Sequence, residues 1–440
     1  MLTRSPDLLQ NPCVTTTLLR RLGIGGALLL LAAALGVVGY RWGFGKVHPA
    51  PLVISAETTY VTEPLLPDGT VDYAVVWRQR RGRSIPLDQN AIVPFLRAFG
   101  PVLLTDESTR ARLLDAVGLG GLPVAGNYFV TLREHARVRG VKESSFKKAA
   151  GYPHLAAWLA ENEAALRLVR EGTLRAALSF DVAVSPGQTL DSVFPEIPWE
   201  PLGSAVDALE ARSQLRLGAG DATGAMDDAL TMLRLAGLAA REGRWIFYIA
   251  GFGVLERGCE VSIGIVASGR LSPDQLRQTR DALAALSFPQ SPDGPLLLLH
   301  LGQMETNGRF ALKVESLLGQ GGREGGGVDL NRVSIELNSW RRRIEGLLEI
   351  SDVETRLSAA SSLLQEVNAA YQLAPSQARS FRRFLVGPWG RLEMVSRVIG
   401  LLFAQQQVES ANRSLNAHQS ALESLGSLQS AIEQAVSPRE

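Results

Sequence analysis

Cysteine is almost missing from this chain. Two occur in 440 residues, Cys13 and Cys259, which excludes a disulfide framework. Histidine is scarce too. His48, His135, His154, His300 and His418 are scattered, none lies near a cysteine, and no spacing resembles a zinc site. Aromatic residues reach only 6%. Net charge is nearly absent: 45 Lys and Arg stand against 44 Asp and Glu, leaving +1. A chain without a basic excess is not drawn to nucleic acid by bulk electrostatics, so no nucleic-acid partner is expected. The usual catalytic signatures are also missing: no Gly-x-Ser-x-Gly elbow, no His-Glu-x-x-His, no phosphate loop ending in Gly-Lys-Ser/Thr. GQGGREGGG, from Gly319 to Gly327, fails as a dinucleotide fingerprint because Glu324 stands where the third glycine belongs, and it reads as a linker. No cofactor or metal is expected, and no catalytic residue is assigned.

What is present begins with one long apolar run. Leu22 to Tyr40, LGIGGALLLLAAALGVVGY, carries no charge and is long enough to cross a hydrocarbon core of ~30 Å. Arg20 and Arg21 precede it directly, which favours an inside N-terminus and an outside body. A cleaved signal peptide would need a shorter apolar core and a better cleavage site than Gly43-Phe44-Gly45. A core helix would not be apolar all round at the start of a chain. The run is therefore read as a retained signal anchor in the cytoplasmic membrane, with the bilayer as its partner and Leu22 and Tyr40 as its ends. Trp245 to Ala267 is apolar as well, but Glu256, Arg257 and Glu260 sit inside it. It is read as a buried helix of the body.

The rest predicts a mainly α body. Residues 1–21 form a cytoplasmic tail, 22–40 the anchor and 41–55 a spacer. Residues 56–150 form a small mixed α/β or α segment, 151–318 a helical-hairpin domain, 319–327 the linker and 328–440 a C-terminal helical region. Thr58 to Thr62 favour extended chain, and Pro67-Asp68-Gly69 a turn. Val71 to Trp77 suits a strand or a first helical turn, and Asn127 to Leu132 a short strand. Ile92, Phe95, Leu96 and Phe99 keep helical spacing. Thr105 or Asp106 caps the next helix, and Ser185 to Pro201 forms a loop. Ser272 is an N-cap, Pro273 stands at the first helical position, Gln275 completes a capping box, and Leu271 and Leu276 flank it as a staple. Beyond Val408, the residues Ala411, Leu415, Leu422, Leu425, Ile432 and Val436 fit an a/d seam, with His418 and Gln429 polar within it. A long helix packed on its own domain fits equally. Charges are read as solvated surface: Glu161 and Glu163, Asp227 and Asp228, and the arginine clusters at 78–83, 341–343 and 379–383. Cys259, in an apolar helix, is read as buried and inert.

Ala211 to Ala240 looks like one helical hairpin of the tetratricopeptide type, with Gly220-Asp221 at the turn and Ala225 at the small-residue position. Arg212, Ser213 and Arg216 depart from that motif, and no second copy follows at its period. Several phrases taken together, ETTYVTEPLLPDGTVDY, NAIVPFLRAFGP, GLPVAGNYFV, YPHLAAWLAENEAALRLV and LRLGAGD, resemble a group of uncharacterised bacterial proteins with one N-terminal span and an exported, helix-rich body. The resemblance runs from about Glu57 to Leu286. It implies topology and fold class and brings no activity. The chain lacks the Gly-Arg-Tyr-Pro-like segment of such proteins and ends in a Gln/Ser/Ala-rich helix. The resulting expectation is a single-pass envelope protein acting as an interaction or structural module, with a protein partner. The alternative is an exported enzyme such as a hydrolase.

Overall fold

A computed structural model describes residues 52–81, 85–104, 106–122, 126–140, 152–180, 190, 197–319, 330–379 and 387–437. The anchor from Leu22 to Tyr40, Cys13, and residues 320–327 of the Gly-rich linker lie outside them. The described residues form a mainly α structure. Its helices are α1 (Tyr73–Arg81), α2 (Ile92–Phe99), α3 (Glu107–Ala116), α4 (Leu132–Arg139), α5 (Tyr152–Glu161), α6 (Glu163–Thr173) and α7 (Glu200–Gly218). They continue as α8 (Ala222–Arg241), α9 (Trp245–Ala267), α10 (Pro273–Ala284), α11 (Asp293–Gly319), α12 (Leu330–Leu348), α13 (Val353–Arg379) and α14 (Gly387–Val436).

No β-strand occurs among the described residues, so the mixed α/β character expected for 56–150 is not found there. Pairing is limited to two isolated bridges, Leu65 with Val71 and Asn90 with Ala177. Thr58 to Thr62 do not run extended. Thr59 Oγ1 donates to Ser55 O at 2.7 Å, and Thr59 N donates to the same oxygen at 2.8 Å. Hydroxyls that bond the backbone nearby favour a turn over a strand. The turn at Pro67-Asp68-Gly69 forms, with Gly69 at φ 83° and its N–H donating to Leu66 O. Val71 to Trp77 then enters α1. Asn127 to Leu132 is not a strand either. It is irregular chain whose polar groups are met by side chains: Asn162 Oδ1 accepts from Val130 N at 2.7 Å, Asn162 Nδ2 donates to Val130 O at 3.0 Å, and Trp158 Nε1 donates to the same oxygen at 2.7 Å. Asn162, wholly buried between α5 and α6, interrupts the helix in order to hold this segment.

Local signals elsewhere act at the helix ends. Asp106 caps α3 by accepting from Thr109 N at 2.6 Å. At α10, Gln275 N donates to Ser272 Oγ at 3.3 Å and Ser272 N donates to Gln275 Oε1 at 2.7 Å. Leu271 and Leu276 are both buried beside the box.

α7, α8 and α9 pack as successive antiparallel neighbours. The α8–α9 crossing is close because of Gly251: a Cβ there would lie 2.7 Å from Ala240 N and 2.8 Å from Ala236 O. The main core joins α2, α3 and α5 to α10 with the far end of α14, through Ala421, Leu428 and Ile432. A second cluster joins α12, α13 and the middle of α14, around Trp340, Val367 and Leu401. A third seats α1 on α11 and α12, with Tyr73, Ala74 and Trp77 against Leu297, Leu301 and Leu337.

α14 packs on the body, chiefly against α9, α12 and α13. Its buried stripe departs from the heptad reading after His418. Ala421 and Leu428 are wholly buried where Leu422 and Gln429 were expected, and Leu422 is 39% exposed. A straight helix drifts against a 3.5-residue repeat. A small Ala at the contact also lets α14 approach α9 closely, with His418 set edge-on to Phe252 at 5.0 Å.

Candidate functional site

Three groups of charges expected on the surface turn out to be structural. Asp228 is buried, and Arg212 donates to it through Nε and Nη2, the latter at 2.6 Å. Arg216 reaches Asp228 at 3.0 Å, and Glu163 takes Arg212 Nη1 at 2.7 Å. Ser213 Oγ donates to Ala225 O at 3.0 Å. The residues that break the tetratricopeptide pattern therefore carry the α7–α8 contact, with a buried ion cluster where that motif has apolar packing. Glu161 pairs with the buried His135 at 2.7 Å, while Asp227 stays at the surface with Arg170. Arg341 is 2% exposed and bonds Glu345 at 3.0 Å and Asp293 at 2.8 Å. Its neighbours Arg342 and Arg343 are exposed and match the surface reading, Arg343 pairing with Glu366 and covering the Trp340 ring at 4.5 Å.

A cleft of about 400 Å³ opens where α11, α14 and the start of α9 meet. Leu190, Trp245, Leu298, Leu299, Gly302 and Phe403 supply its apolar wall, and Arg244, Gln303, Thr306 and Gln406 its polar groups. Among the described residues that line it, Arg244 is the one with a charge. Glu242, wholly buried, accepts from Arg244 Nε at 2.9 Å and from its backbone N–H at 3.1 Å. The guanidinium also lies over Phe247 at 4.3 Å and Phe180 at 4.8 Å, two adjoining rings that favour a cation at this place. Trp245 is anchored by Nε1 donating to Ser410 O at 3.3 Å.

Below this wall runs a buried layer of amides. Gln303 Nε2 donates to Gln406 Oε1 at 3.1 Å. Gln407 Nε2 lies 2.6 Å from Gln303 Oε1 and 2.7 Å from His300 Nδ1. His300 is wholly buried. Burial, and then the charge of Arg341, push its pKa down to about 3 against the opposing bonds of Asn338 and Gln407. The ring is neutral and Nδ1 accepts. Tyr60 meets its edge at 4.8 Å and donates its hydroxyl to Glu345 at 2.8 Å. Asn338 Nδ2 donates to Glu57 O at 2.6 Å. Tyr60 stands at φ 65°, a conformation uncommon outside glycine, and these contacts hold it there.

In the sequence none of these residues reads as a binding group: His300 is one of five scattered histidines, Trp245 the start of an apolar helix, and Arg341 part of a solvated cluster. The run Gln405-Gln406-Gln407 inside an apolar helix was the one available signal. Ser272 and Gln275 lie at α10, away from the cleft. Cys259 is wholly buried. Comparison with protein-family models, with curated proteins and with solved structures finds no match for this chain.

Proposed function

We propose that this protein is a binding module of the cell envelope, tethered to the cytoplasmic membrane by Leu22 to Tyr40 with its helical body outside, and that the cleft between α9, α11 and α14 holds a small amphipathic molecule. The cleft itself carries this reading. Its volume falls within the ~300–1,000 Å³ of small-molecule sites, and a mostly apolar wall with a few fixed polar groups is their usual make-up. Its described lining holds no carboxylate or imidazole that could act as acid or base, and the nearby His300 stays neutral and buried. This favours holding a ligand over the hydrolase alternative. The irregular array of helical hairpins around it would present the outer surfaces to a protein partner. Of the membrane, the structure shows only that no helix among the described residues is long and apolar enough to span it.

The test uses the full chain in lipid nanodiscs and the neutral fluorophore N-phenyl-1-naphthylamine, read against empty discs. Saturable binding at one site is expected, and it should vanish in Gly302→Trp. A Cβ at Gly302 meets nothing within 4 Å, so the backbone tolerates the change while the indole fills the cleft. Unchanged binding in that variant would refute the cleft. Protease treatment of spheroplasts carrying a C-terminal tag tests the topology: loss of the tag supports an outside body, and a protected tag places the body in the cytoplasm.

A further inference from the structure

Residues 53–60, which follow the proposed anchor, lie along α12. Leu52 stands twelve positions after Tyr40, and from Val53 onward three side-chain bonds hold the chain. Val53 N donates to Asn331 Oδ1 at 2.8 Å, Asn338 Nδ2 to Glu57 O at 2.6 Å, and the Tyr60 hydroxyl to Glu345 Oε1 at 2.8 Å. Positions 331, 338 and 345 are seven apart, close to two turns, so they share one side of the helix. Residues 53–60 belong to no helix or strand, and the bond at Val53 is exposed. A segment held in this way opens at a lower free energy than the core. Tyr60 keeps φ 65°, which a residue with a side chain holds only where its surroundings impose it. Losing its seat therefore frees the backbone as well. That seat is His300, whose ring meets Tyr60 edge-on at 4.8 Å.

His300 is also one end of the amide layer. Gln407 Nε2 lies 2.7 Å from His300 Nδ1 and 2.6 Å from Gln303 Oε1. Gln303 and Gln406, bonded at 3.1 Å, line the cleft. The strap over α12 and the cleft thus sit at the two ends of one chain of four side chains. We infer that the two are coupled: an occupant packed against Gln303 and Gln406 holds the amide layer, the layer holds the His300 ring, and the ring latches residues 53–60 onto α12. With the cleft empty, water competes for the amides and the strap is looser. The tethered segment then carries the state of the cleft towards the membrane. Such coupling is reciprocal, so loosening the strap also weakens binding in the cleft. This inference rests on the cleft being a binding site, and the experiment keeps the two separable.

Amide exchange of residues 53–60 is followed by mass spectrometry in the full chain in nanodiscs, with and without saturating N-phenyl-1-naphthylamine. Exchange is expected to slow about fivefold with the fluorophore bound. Tyr60→Ala, at a half-buried site, should in turn weaken fluorophore binding about fivefold. Gln407→Leu cuts the layer beneath the strap with an apolar side chain of similar size. It should still bind the fluorophore and lose the effect on exchange. If that variant does not fold, the first two measurements decide. Unchanged exchange at saturation, or unchanged affinity in Tyr60→Ala, would overturn the coupling with the cleft still standing. Slowing that persists in Gln407→Leu would overturn the amide layer as its carrier. Fluorophore binding that survives Gly302→Trp would instead remove the cleft, and the coupling with it.

Discussion

Single residues decide much here because several polar groups are buried with fixed partners. Asp228 is the clearest. It holds Arg212, whose side chain is 10% exposed, and Arg216 as well. Removing one partner of a buried ion pair leaves the other charge uncompensated, which costs about 3–5 kcal/mol. Glu163 still reaches Arg212, so Asp228→Ala is expected to lose about 3 kcal/mol, measured as a lower midpoint of denaturant unfolding. A change under about 0.5 kcal/mol, the level of an exposed pair, would show the cluster to be solvated. Cys259 makes a second prediction. Burial first, then Glu256 and Glu260, push its thiol up to about 12. At neutral pH it is protonated as well as enclosed, and the thiolate is the reactive form. In a Cys13→Ser background, Ellman's reagent should label Cys259 only as fast as the chain unfolds, and at once after denaturation. Rapid labelling of the native chain would contradict its burial.

Helix ends carry the next level of control. Asp106 caps α3. Hydrogen bonds from the Thr109 and Ser108 side chains, then from the Thr109 backbone, hold its carboxyl down at about 2 against an ordinary 3.8. A depressed folded pKa means that the ionised cap stabilises the folded helix above about 3.8, and that this contribution is lost as pH falls through about 2. Amide protection in α3, followed by NMR, should therefore fall over that window in the native chain. In Asp106→Asn, which keeps a neutral capping acceptor, it should not. The caps at α3 and α10 were legible because capping is set by residues within one turn. The segment at 127–132 was not. Its backbone partners come from Asn162 and Trp158, some 30 positions along the chain, and nothing local marks them. The heptad reading of α14 failed for a related reason. Periodicity gives a stripe, and the neighbour decides which of two adjacent residues sits on it, Ala421 or Leu422.

At the scale of the molecule, α14 ties the parts together. It contributes Leu401, Val408 and Leu415 to one cluster and Ala421, Leu428 and Ile432 to the main core. Deleting residues 387–440 would uncover both. The truncated chain is expected to bind 8-anilinonaphthalene-1-sulfonate and to lose its cooperative thermal transition. A sharp transition at the original temperature would show α14 to be an appendage.

The sequence alone determined the helical class, the turn at Pro67-Asp68-Gly69, the capped starts of α3 and α10, the packing of one face of Trp245 to Ala267 into the body, and the inert placing of Cys259. Each depends on residues within a turn or two of one another, or on apolar periodicity, and both are written along the chain. Tertiary structure alone decided which charges were interior. Asp228 and Arg341 look like any surface residue until α7 meets α8, or α12 meets α11, because the partners Arg212 and Asp293 lie 16 and 48 positions away. The cleft has the same origin. Arg244 at the N-cap of α9, Gln303 of α11 and Gln406 of α14 share a wall only because α14 lies along α9 and α11.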